Sequence, residues 1–229
     1  MFTIPDLTLL DIAAFGWFIL CWFGYVWIAD HTRWARRSAS ALINERRQMW
    51  MRNMALRGVM RMVDTMIHGS LANGVAFFAS TSILMVGGLL AILGATDEAI
   101  AVVAGLPFGV KVSPILWQLK VLMMVVIFVY SFFKFAWCYR LYNYCAILVG
   151  SIPPDDELTP EKLTETQRIG RLYSLAGSQF NNGLRAYFFA LAALGWFLHP
   201  VLFIGATAWV VLVLYRREFH SRSFRILSE

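Results

Sequence analysis

Charge is scarce in this chain. Asp, Glu, Lys and Arg make up 15% of its 229 residues, against about 25% in soluble domains. Apolar residues reach 59% and the mean hydropathy is +0.61. The apolar residues come in long blocks, which excludes one soluble core and points to an integral membrane protein.

Cysteine is also sparse. Cys21, Cys138 and Cys145 form no CxxC pair, and their odd number argues against a disulfide framework. Cys138 and Cys145 lie seven apart on one helix face and are read as small packing residues. The N-terminal "MFTIPDLTLLD" has no Lys or Arg, so it lacks the basic start of a cleavable signal peptide, and the run after it is expected to be a retained span. HExxH, GxSxG, Walker A and dinucleotide glycine patterns are missing. The membrane segments also lack the paired carboxylates of many cation carriers. An enzyme therefore ranks third among the readings, and no catalytic residue, metal or cofactor is expected.

What is present is a set of charge-free stretches. Ile12–Ala29 is bracketed by Asp11 and Asp30 and its eighteen residues just cross a hydrocarbon core of about 30 Å. A second stretch covers about 71–95, and a third starts near Ile115. The last, Ala186–Tyr215, is thirty residues with His199-Pro200 at its centre. As one helix it would measure about 45 Å, and Pro200 pushes His199 out of the helical region. Two antiparallel spans are expected instead.

Basic residues set the orientation. Eight of the twenty lie between the first two spans: Arg33, Arg36, Arg37, Arg46, Arg47, Arg52, Arg57 and Arg61. Lys162, Arg168, Arg171 and Arg185 follow the third span, and Arg216, Arg217, Arg222 and Arg225 sit in the tail. All three segments are expected to be cytoplasmic, while the external loop, about 96–114, holds only Lys111 beside Asp97 and Glu98.

The resulting fold class is all-α: one polytopic membrane domain with about five spans, or four if the last block is one kinked helix. The spans are placed near 12–29, 71–95, 115–137, 183–198 and 201–216, and the cytoplasmic segments near 30–68, 140–182 and 217–229. The N-terminus is expected outside and the C-terminus inside. Between Asp30 and Leu71 the pattern predicts a long amphipathic cytoplasmic helix continuous with, or leading into, the second span, with Asn53, Arg57, Arg61, Asp64 and His68 on one stripe. Thr159, Pro160 and Gly177 outline a short helix as N-cap, first residue and stop.

Three constellations carry candidate chemistry. "FFKFAWCYRLYNY" sets Lys134 and Arg140 among seven aromatic side chains. Lys120 and Lys134 are fourteen apart, about 21 Å along a helix. If Lys120 is near the outer interface, Lys134 and Arg140 reach the inner one, where they can snorkel among the aromatics. Turned inward, Lys120, Ser131 and Lys134 would instead offer an anion two cationic stations. The Arg57/Arg61/Asp64/His68 stripe is a structural pairing network or a cytoplasmic gate, with His68 able to titrate near neutrality. His68 and His199 fall on opposite membrane faces, so they are not a joint haem site. Ala79, Gly87, Ala91 and Ala95 form a small-residue stripe for close helix contact, within the chain or with another copy. The basic first loop is a solvated face or a contact for anionic lipid headgroups.

The blocks "RRQMWMRNM", "LANGVAFFASTSILMVGGLLAILG", "FFKFAWCYRLYNYCAILVG", "NNGLRAYFFALAALGWF" and "LYRREFHSRS" together resemble the membrane-protein family catalogued as domain of unknown function 599. The resemblance covers nearly the whole chain in order. It implies a multi-spanning α-helical protein, most plausibly of a bacterial cytoplasmic membrane, and no activity. The leading functional expectation is an oligomeric pore or transporter for a small solute, an anion favoured. An accessory or scaffolding subunit of a larger membrane complex comes second; no nucleic-acid partner is expected.

Overall fold

A computed structural model of the chain describes residues 7–32, 35–57, 61–105, 112–153 and 159–229. The expectations that touch Arg33 and Lys111 lie outside these. Every regular element among the described residues is helical, as the composition predicts. In chain order they are α1 (Leu9–His31), α2 (Ala39–Ala55), α3 (Met62–Gly94), α4 (Thr96–Ala104), α5 (Pro114–Ser151), α6 (Pro160–Ala193), α7 (Gly195–Leu198), α8 (Pro200–Phe219) and α9 (Arg222–Ser228). A 3-10 turn, Ala35–Arg37, precedes α2.

Four stretches are long and apolar enough to cross a membrane: Leu9–His31, Met62–Gly94, Pro114–Ser151 and Pro200–Ser228. The chain is thus a polytopic α-helical membrane protein. The thirty-residue apolar block breaks at its centre. His199 is extended (φ −162°, ψ 141°) and its side chain caps α8 by accepting from the Val201 N–H at 3.2 Å. Gly195 lies against the Leu202 backbone, where an added methyl group would sit 3.2 Å away. Trp196 stacks on Phe203 with ring centroids 5.3 Å apart. The apolar half of α6 and α8 therefore run antiparallel.

Packing falls into two layers along α5 and α6. One core joins α1, α5, α6 and α8 through Phe18, Trp22, Val121, Met124, Phe189 and Phe203. The other joins α2, α3, α5 and α6 through Met51, Met54, Phe135, Cys138, Tyr142 and Tyr173. Cys138 and Cys145 are buried packing residues on one face, as the spacing predicts.

Two local expectations are corrected. The amphipathic helix is not continuous with the second span, so the stripe from Asn53 to His68 is divided between two elements. α2 ends where Leu56 N–H closes on Asn53 and Met54, and α3 starts after Arg61. Met51, Met54 and Ala55 are buried against α5 and α6, which lays α2 across α6, while α3 carries the apolar run. One straight helix could not do both.

The second correction concerns Gly177, which does not stop its helix. Thr159 caps α6 as expected and Pro160 is its first residue, but α6 continues to Ala193. Gly177 instead makes room for the guanidinium of Arg47, and Gly170 admits the backbone of Gln48, 3.1 Å from where a methyl would be. These glycines let α2 cross α6 closely. Burial under that crossing lowers the pKa of Arg47 from its ordinary value.

Candidate functional site: two charged cavities on one helical seam

Asp11 and Asp30 mark the two ends of α1, nineteen residues and about 28 Å apart. That length matches a hydrocarbon core. Asp30 pairs with a buried cation, Asp11 shares Trp196 with another, and each cation lines a cavity.

At the first end Asp11 is buried. It closes a capping box with Thr8, whose backbone N–H and hydroxyl both donate to its Oδ2. Its Oδ1 accepts from the Trp196 indole N–H at 2.7 Å. Lys120 of α5 is 3% exposed. Its Nζ donates to the Trp196 carbonyl oxygen at 2.8 Å and lies 5.3 Å from the centroid of that residue's ring. Trp196 thus holds both opposite charges in place. A cavity of about 180 Å³ opens here, with Asp11, Lys120 and His199 among apolar side chains.

At the second end the Arg185 guanidinium lies 2.7 Å from Asp30, accepts the face of Tyr25 at 5.5 Å and donates to Asn182 Oδ1 at 2.9 Å. A cavity of about 280 Å³ is lined by Asp30, Ser38, Ser40, Asn44, Asn181 and Arg185. A smaller one shares Asn181 and Arg185 and reaches Arg217 and Glu218. Glu218 accepts from the Ser40 backbone N–H at 3.1 Å, and Asn181 donates to the Ser40 hydroxyl. These two bonds tie the start of α2 to α8 and α6.

Between the cavities the seam is closed by aromatic rings. Phe18 meets Phe203 at 5.1 Å and Phe189 at 5.7 Å, and Trp22 stacks on Phe189 at 5.7 Å.

The residues singled out from the sequence separate into three places. Lys120 is in the first cavity. Ser131 is fully buried and donates to the Gly183 carbonyl oxygen at 3.4 Å, in the tight α5–α6 contact. Lys134 is half-buried, with Nζ 5.3 Å from the Tyr130 centroid one turn back, and Arg140 is exposed and bonded to Tyr144 at 2.6 Å. Both charges of the "FFKFAWCYRLYNY" block lie along their own helix.

The stripe residues meet differently from the expected i,i+3 and i,i+4 pairs. Asp64 is buried and pairs with Arg57 at 2.9 Å, not with Arg61, and its Oδ1 also accepts from the Trp50 indole at 2.6 Å. Arg61 donates to the Ile152 and Pro153 carbonyls at 2.7 and 2.9 Å, capping the end of α5. His68 Nδ1 is 2.6 Å from the Tyr173 hydroxyl rather than near Asp64. Burial raises the pKa of Tyr173 from its ordinary value.

Asp11, Asp30, Arg185, Trp196 and Asn181 were not singled out as site residues. The two aspartates serve in the sequence as span boundaries, and Arg185 as a cytoplasmic charge. A signal was available: each of these charges sits inside or at the edge of an apolar block, where ionisable groups face protein or water.

The fold and its two cavities define a multi-spanning helical membrane protein with a buried cation at each end of one seam, Lys120 tied to Trp196 and Arg185 paired with Asp30. The chain belongs to the family described as "Protein of unknown function, DUF599", whose model matches residues 13–223. No curated protein and no solved structure matches it.

Proposed function

We propose that this protein is a transporter for a small solute, an anion favoured, whose path follows the α1–α6–α8 seam of a single chain. The observation that carries the reading is the pair of buried cations, Lys120 and Arg185, at opposite ends of that seam, each lining a cavity. Buried charge is costly in a membrane protein and is retained where it has a use. The aromatic rings between the cavities supply the closed state that alternating access requires.

Asp11 and Asp30 offset the two cations, so the preference for anions rests on unused donors. Among the described residues Lys120 makes one hydrogen bond to the protein, and one guanidinium nitrogen of Arg185 has hydrogen-bond acceptors. Both oxygens of Asp11 are already occupied. A solute entering the Lys120 cavity therefore meets free donors. With the Arg-rich segments placed on the cytoplasmic side of a bacterial inner membrane, the Arg185 cavity faces the cytoplasm and the Lys120 cavity faces out. The apolar half of α6, ending in α7, is then the fifth span.

A second reading, an accessory subunit or self-associating scaffold, is favoured by α3. Gly87, Ala91 and Ala95 of its small-residue stripe are exposed, and a methyl added at Gly87 meets nothing within 4 Å. Ala79 packs against the core that α3 shares with α5, so it is the Gly87–Ala95 part of the stripe that stays uncovered among the described residues.

Purified protein in liposomes separates the two. The transport reading expects anion flux above protein-free liposomes, with cations carried less. Absence of flux for anions and cations across a wide pH range, together with stoichiometric co-purification with another membrane complex, overturns it in favour of the accessory reading.

A further inference from the structure

The Lys120 cavity has a more specific chemistry than "anion". Its one buried cation keeps two of three ammonium donors unused by protein. Its one buried carboxylate already accepts at both oxygens, from Thr8 and Trp196. Around them the wall is aliphatic, with Leu10, Leu116, Leu198 and Pro200. The cavity also includes the start of α8, whose N-terminal dipole favours negative charge. From these features we infer that the cavity beside Lys120 is a binding site for a small monocarboxylate with a short aliphatic tail.

Each element of the inference excludes a neighbouring class. A single cationic centre in an aliphatic wall suits one carboxylate better than a multiply charged phosphate, which would leave oxygens unsatisfied. An α-amino acid would bring an ammonium group beside Lys120 as a like charge, and alanine has no tail for the aliphatic wall. An amine would face Lys120 as a like charge. A bare halide would use the donors but waste the aliphatic wall.

Size sets the tail length. An apolar cavity of about 150 Å³ takes benzene, six carbons, so about 180 Å³ suits a carboxylate of four to six carbons. The ligand carboxylate would receive charge-assisted hydrogen bonds from Lys120, with its tail between Leu116 and Leu198.

This inference rests on the transport reading only for its purpose, since binding can be measured without flux. The experiment is binding of labelled butyrate to the full-length protein in lipid nanodiscs. Saturable binding is expected, displaced by hexanoate and not by equal concentrations of alanine, butylamine or chloride. Lys120→Gln should weaken it at least tenfold. If that variant does not fold, Leu10→Trp decides: Leu10 is exposed at the cavity, and the larger side chain should block the site and weaken binding at least tenfold. No saturable binding, competition by alanine or chloride equal to that of hexanoate, or butyrate binding unchanged in the folded variants would overturn the proposal. Butyrate binding without flux keeps this site and removes the transport reading. Flux without butyrate binding does the reverse.

Discussion

Arg185 and Asp30 are joined at 2.7 Å across α6 and α1, with side-chain exposures of 7% and 21%. The asymmetry matters, because removing either partner strands the other. Removing one partner of a buried pair costs about 3–5 kcal/mol when the survivor is fully desolvated.

Asp30→Asn should therefore destabilise more than Arg185→Gln. The first leaves a guanidinium with little water, while the second leaves a carboxylate that is a fifth exposed. Thermal unfolding in detergent should show the larger drop for Asp30→Asn, and the reverse order would contradict the assignment. Asn182, which also accepts from Arg185, should make Asn182→Ala a milder version of the same defect.

Gly183 predicts a steric defect. A methyl there would sit 2.5 Å from the Phe135 ring, and overpacking costs about 1–3 kcal/mol. Gly183→Ala should lower the unfolding temperature, and Phe135→Leu should relieve part of the loss in a double-mutant cycle. Gly87→Ala, which meets no neighbour, should be neutral or slightly stabilising through helix propensity.

Arg61 should control fraying at the end of α5. Its bonds to the carbonyls of Ile152 and Pro153 are charge-assisted, and such bonds contribute about 1.5–3 kcal/mol. Arg61→Ala should raise amide hydrogen exchange over residues 149–152 while leaving exchange in the centre of α5 unchanged. Equal protection in both proteins would show that the arginine does not hold this end.

Tyr173 makes stability fall at alkaline pH. Burial raises its pKa above the ordinary 10.0, so the folded state holds a proton that the unfolded state releases first. The contribution is fully present below about pH 10 and declines as pH rises toward the folded value. Tyr173→Phe should flatten that part of the stability profile, at a cost near neutrality of about 1 kcal/mol for the lost bond to His68. An alkaline limb identical to the parent's would mean that other groups carry it.

Much of the fold was legible because lipid demands long uncharged runs. The long apolar helices, the break at His199-Pro200 and the cap at Thr159 all follow from local residues. The stripe from Asn53 to His68 misled because helical spacing was satisfied on both sides of a break, and Gly58 between them was the one hint. Gly177 likewise has the chemistry of a stop, but its role depends on Arg47, 130 residues earlier. The site was less legible for the same reason. Lys120 stood out alone in its apolar block, whereas Asp11 with Trp196, and Asp30 with Arg185, become partners only when α1 folds against α7 and α6. Ser131 and Lys134 share a helix face with Lys120 in sequence, yet the structure gives Ser131 to helix packing.

Anion flux in liposomes with two substitutions tests the central claim, that the path follows the α1–α6–α8 seam. Ser178 lines the Arg185 cavity, and Ser178→Trp would fill it, while Lys134→Gln removes the cation that lies against Tyr130 on α5. The account predicts that Ser178→Trp abolishes flux and Lys134→Gln leaves it unchanged. Flux lost in Lys134→Gln and retained in Ser178→Trp would contradict it and move the path to the face of α5.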